Sequence, residues 1–172
     1  MSSWTMLVIA PSHYCEKARW ALQRFSVPFV ETPHPPILHM LANVLWGQPV
    51  RASVPRLISA DRSTVLKESK DIMRYVDQQL PAHIKLYPED LVQRAEVDRL
   101  EVIFNESLGK AVRVVVYEHL LPSPEAFHLF ADRVTWAWEY WFVWVFMGVL
   151  RTLIGKGVCL LGRVACFASL FR

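Results

Sequence analysis

Short apolar, β-branched runs alternate with stretches of helical periodicity through the first half of the chain. Thr5-Met6-Leu7-Val8-Ile9-Ala10 has the composition of a buried strand, and Pro11 stops it. Beyond it, apolar residues at Tyr14, Ala18, Ala21, Leu22 and Phe25 recur at the spacing of one helical face, while Lys17, Gln23 and Arg24 turn the other way. Ser12 is the cap of that helix. Residues 27–31 predict a second strand, residues 37–46 a short helix ended by Gly47, and residues 53–58 a third strand entered through Val54-Pro55. A turn at Ala60-Asp61-Arg62 leads into a fourth strand over residues 63–66. Ser69 then predicts another cap, with Asp71 in the first turn and Ile72, Val76 and Leu80 as the buried stripe before Pro81. The predicted order is β-α-β-α-β-β-α.

After residue 88 the pattern changes. Residues 89–117 predict one long helix with apolar positions at Leu91, Val92, Ala95, Leu100, Ile103 and Phe104, broken at Leu121-Pro122-Ser123-Pro124. A further helix over about residues 124–153 carries Trp136, Trp138, Trp141 and Trp144 and is apolar nearly all round between residues 140 and 150. Such a helix has to be covered by protein or lipid. Residues 134–150 would extend about 25 Å, short of a ~30 Å hydrocarbon core, and Glu139 would cost roughly 2.5–3.5 kcal/mol if central. Coverage by protein is therefore the preferred reading. Arg151, Lys156, Arg163 and Arg172 leave peripheral contact with an anionic membrane open.

The first helix carries the candidate chemistry. Ser12 and Cys15 place a hydroxyl and a thiol where a strand turns into a helix, and unpaired amides with the positive end of the helix dipole stabilise an anion there. That anion is either a side-chain thiolate or the thiolate of a bound ligand. The plainer alternative is a cap at Ser12 and a small core residue at Cys15.

The element order, Val54-Pro55 ahead of the third strand and Glu68-Ser69 at the last helix start resemble the thioredoxin-like domain of soluble glutathione transferases over residues 5–80. The resemblance implies an α/β fold: a four-stranded mixed sheet over residues 1–84, followed by an all-α domain over residues 85–172 that is incomplete by comparison with the family. It further implies that Pro55 is cis, that the Val54 backbone pairs with the cysteinyl part of glutathione, and that Glu68 and Ser69 hold its γ-glutamyl end. Ser12 falls at the thiol-activating position, a cysteine in some classes and a serine in others. Lowering a thiol pKa of about 8.5 by about 2 takes roughly 2.7 kcal/mol, whereas a hydrogen bond to a charged group contributes about 1.5–3 and a helix start ~0.3–1. A serine suffices without a metal.

The implied function is conjugation of the glutathione thiolate to a small electrophile. One alternative is thiol-disulfide or peroxidase chemistry through Cys15, and another is a non-catalytic or membrane-associated protein of the same fold. Composition adds little against this. A net charge of +3 with scattered Lys and Arg gives no support to nucleic-acid binding. Three cysteines and no basic leader in Met1-Ser2-Ser3-Trp4 lead to the expectation of a reduced, cytoplasmic protein. His34 and His39 flank Pro35-Pro36 and read as residues of a surface loop, with no metal expected. A homodimer stays open.

Overall fold

The first apolar run forms β1 (Trp4–Val8) in a computed structural model that describes residues 4–123, 125 and 133–169. It is followed by α1 (His13–Arg24), β2 (Phe29–Pro33), α2 (His39–Leu45), β3 (Arg56–Ile58), β4 (Val65–Leu66) and α3 (Ser69–Gln78). The strands make one mixed sheet in the order β2-β1-β3-β4. β1 and β2 are parallel, in register Trp4 with Phe29 through Val8 with Pro33, and the other two pairings are antiparallel. This is the thioredoxin-like arrangement, and the predicted element order holds throughout.

The core is built by the periodicities that predicted the elements. Met6, Val8 and Leu57 from the sheet meet Cys15, Ala18 and Leu22 of α1 and Ile72 and Val76 of α3, all buried. Cys15 takes a place on the buried face that the pattern had given to Tyr14, which is only half-buried. Gly47 ends α2 with φ of +70°, the left-handed conformation that glycine adopts without steric cost.

Two compact units divide the chain: Met1–Lys85 with His128–Val145, and Leu86–Phe127 with Phe146–Arg172. In the second unit, α4 (Leu91–Val102) runs through a π-helical stretch, Ile103–Leu108, into α5 (Gly109–Leu120). Asp90 caps α4 by accepting from the Val92 and Gln93 amides at 3.1 and 2.9 Å. The apolar positions expected to form its buried stripe include Leu91 and Val92, both strongly exposed.

The last helix, α6 (Ala137–Ser169), leaves helical dihedrals at Phe146. Of the helix expected from about residue 124, residues 124 and 126–132 lie outside the described residues. Among the described residues no helix is long and apolar enough to cross a membrane.

The start of α6 is tied to the sheet. The Thr135 amide and hydroxyl both donate to the Pro33 carbonyl, at 2.8 and 2.9 Å. Beside this joint His34 Nδ1 and Glu139 Oε1 are 2.8 Å apart, and the two side chains are 1% and 0% exposed. Trp136 packs on the imidazole at 4.6 Å between ring centroids. The surface-loop reading of His34 is therefore corrected: His34, Pro35 and Pro36 are all buried. The reading of Glu139 changes with it, because the one carboxylate in the apolar run turns inward to a partner.

Candidate functional site

The ladder registers decide which residues share an end of the sheet. Leu7 lies opposite Arg56, so the start of β3 sits beside the end of β1. Leu66 lies opposite Leu57, so the end of β4 comes to the same side. The loop from β1 to Ser12, the Val54-Pro55 turn and the Glu68-Ser69 helix start are thereby gathered at one end of the sheet, although they come from three separate stretches of sequence. The parallel β2 brings Pro33 and His34 to that end as well, where the His34 amide donates to the Val8 carbonyl at 2.9 Å.

Ser12 holds the N-cap position of α1 in extended conformation (φ −79°, ψ 122°) but makes no side-chain cap hydrogen bond. Its hydroxyl instead hydrogen-bonds the Cys15 thiol. Cys15 is fully buried, and its thiol is pushed up to about 11, first by burial. The Ser12 hydroxyl, the Ile9 backbone and the Arg19 charge work in the opposite direction without offsetting it. Arg19 is itself held by Glu31, through Nε to Oε1 at 2.5 Å, and by Glu16. A thiol kept neutral and out of reach of solvent is a poor nucleophile at neutral pH. An open groove of about 500 Å³ does reach Ser12, lined also by Ala10, Pro11, Glu16, Lys17 and Trp20. Val54, Glu68 and Ser69 lie outside that lining.

The Val54–Pro55 peptide bond is cis. Val54 is half-buried against the core and Pro55 is buried. At α3 the cap position belongs to Glu68 (φ −139°, ψ 159°), not to Ser69, which is the first helical residue. The Glu68 side chain makes no cap hydrogen bond; it is exposed, with Lys70 Nζ at 3.4 Å. Ser69 is buried.

Sequence reasoning passed over Arg56. It is buried at the start of β3, with Nε donating to the Ser53 carbonyl at 3.1 Å and a terminal nitrogen to Gln48 Oε1 at 3.0 Å. Burial lowers its pKa and the nearby Glu68 charge raises it, which places cation and carboxylate in one field. A single charged residue inside the apolar run Val-Pro-Arg-Leu-Ile was the available signal. Among the described residues no group of three or more His, Cys, Asp or Glu comes together as a metal site.

These features define the first unit as a thioredoxin-like domain with its candidate site at the cis-proline end of the sheet. Residues 8–83 match the family model of the glutathione S-transferase N-terminal domain. No curated protein is significantly similar to the chain. Among solved structures, NaGST-2 is 14% identical with a TM-score of 0.49, over 74% of this chain and 59% of its own. The Tau class glutathione S-transferase MiGSTU from mango, Mangifera indica L., is 22% identical with a TM-score of 0.47, over 77% of this chain and 57% of its own. The chain thus spans less than two thirds of the length of either.

Proposed function

We propose that the chain binds glutathione at this end of the sheet and conjugates its thiolate to a small electrophile, with residues 1–84 as the glutathione-binding domain and residues 85–172 as the helical domain. Ser12 donates to the glutathione sulfur. The Val54 backbone, turned by Pro55, pairs with the tripeptide, and Glu68 and Ser69 hold the γ-glutamyl ammonium and carboxylate. The setting is the reducing cytoplasm.

The observation that carries the reading is the convergence of Ser12, Pro55 and Glu68-Ser69 on one sheet end, at two helix starts whose cap side chains make no cap bond. Ser12 has one hydroxyl proton. The neutral Cys15 thiol is able to donate to Ser12 as well as to accept from it, whereas a bound thiolate only accepts and, being charged, forms the stronger bond with the Ser12 hydroxyl. The ligand therefore wins. Burial of Cys15 argues for Ser12 as the activator and against thiol exchange through Cys15.

Calorimetric titration of glutathione onto the full chain, with conjugation to 1-chloro-2,4-dinitrobenzene, is the test. Ser12→Ala is expected to lower turnover about 10²-fold or more. Cys15→Ser is expected to have a smaller effect. The reverse ranking, with a mixed disulfide detected by mass spectrometry, would move the chemistry to Cys15. Absence of any glutathione binding would leave a non-catalytic protein of this fold.

A further inference from the structure

The first two turns of α6 carry their apolar surface outward. Trp138, Trp141, Trp144 and Val145 are 44%, 67%, 48% and 73% exposed, and Tyr140 beside them is exposed as well. The inner face is narrow: Glu139 and Val143, one turn apart, are fully buried. Residues 134–150 contain a single charged side chain, Glu139, and it is withdrawn to His34 at 2.8 Å. What the helix presents outward here is therefore aromatic and uncharged.

We propose that this face, Trp138, Trp141, Trp144 and Val145, seats on the interface of an anionic lipid bilayer. Three observations select lipid as the occupant. Tryptophan and tyrosine combine an apolar ring with a polar N–H or O–H, so they gain most at headgroup level, where one end is dry and the other wet. The chain beyond Glu139 contains no Asp or Glu, while Arg151, Lys156, Arg163 and Arg172 are all basic. That one-sided charge along the sequence complements an anionic leaflet. The inward turn of Glu139 also removes the charge that would otherwise oppose insertion into the interface. No described helix is long and apolar enough to cross, so the contact is a seat on the surface. The proposal does not depend on the glutathione reading, since none of these residues lines the groove at Ser12.

Flotation of the full chain with phosphatidylcholine vesicles, with and without phosphatidylserine, tests it. Binding is expected on the anionic vesicles and to fall about 10-fold when phosphatidylserine is omitted or salt is raised. Combined Trp141→Glu and Trp144→Glu is expected to lower binding at least about 10-fold, since two carboxylates are placed at the contact. Both positions are exposed, and far-ultraviolet circular dichroism checks that the fold is kept. Val145→Glu, at 73% exposure, provides a second variant. On the unaltered chain, acyl-brominated lipid is expected to quench tryptophan fluorescence, which requires no variant at all. Failure to float with either vesicle, or flotation unchanged by every substitution, would overturn the proposal. So would a dimer, seen by sedimentation velocity, that the same substitutions dissolve while vesicles capture nothing; the face would then join two copies of the chain.

Discussion

α4 and α6 close their own first turns, whereas α1 and α3 do not. Asp90 accepts from two amides of α4, and Glu139 reaches back to the Trp136 amide at 3.2 Å while also meeting His34. At α1 and α3 the cap positions hold residues able to accept, Ser12 and Glu68, yet neither side chain makes a cap bond to its helix's first amides. Ser12 turns to the Cys15 thiol, and Glu68 lies in solvent near Lys70. A closed start contributes stability locally. An open start leaves the positive end of the helix for an outside anion and contributes less to stability. The sheet gathers these two open starts beside the cis proline.

The largest expected effect lies at a closed start. Glu139→Ala removes one partner of a buried pair and a backbone bond together, which is expected to cost about 3–5 kcal/mol in urea unfolding. Ser12→Ala, at an open start, is expected to change stability by less than about 0.5 kcal/mol. A Glu139→Ala protein within about 1 kcal/mol of the parent would break the contrast between the two kinds of helix start.

The next effect in size concerns Cys15, inside the open start of α1. Its thiol is held at about 11 against an ordinary 9.0, so the folded chain binds the proton more tightly than the unfolded one. By linkage, the stability this contributes is fully present below pH 9, and it is lost as pH rises through about 11. The loss is on the order of 3 kcal/mol. Denaturant melts across that range should show Cys15→Ala with a shallower alkaline decline than the parent. Parallel declines would mean that the helix start, and not burial, governs this thiol.

Much of the first unit was legible in the sequence because its signals are local. Each strand is a short β-branched run and each helix a single stripe, and Pro11, Gly47 and Pro81 punctuate them. The cap at α3 falls one residue before the serine that the sequence favours: serine is the better capping side chain, but the backbone turns helical only after Glu68, so Glu68 takes the position. The His34–Glu139 pair was illegible for a different reason. Its partners are 105 residues apart, and nothing near His34 says that a carboxylate will arrive. Arg56 and Cys15 show the same limit at the site. Residue type gave their chemistry, but burial, which sets the Cys15 thiol near 11, follows from the packing of α1 and β3 in the assembled core.

The smallest effect compares α3 with α4 directly. Ser69→Ala at the open start is expected to weaken glutathione binding by about 1–3 kcal/mol, through loss of a charge-assisted contact. Asp90→Ala at the closed start is expected to cost about 1 kcal/mol of stability, because two amides of α4 lose their acceptor, and to leave glutathione affinity unchanged. Calorimetry and denaturant unfolding on both variants give a two-by-two comparison in which each substitution moves one quantity. If Ser69→Ala lowered stability as much as Asp90→Ala and left affinity intact, the α3 start would be structural, and Glu68-Ser69 would leave the site.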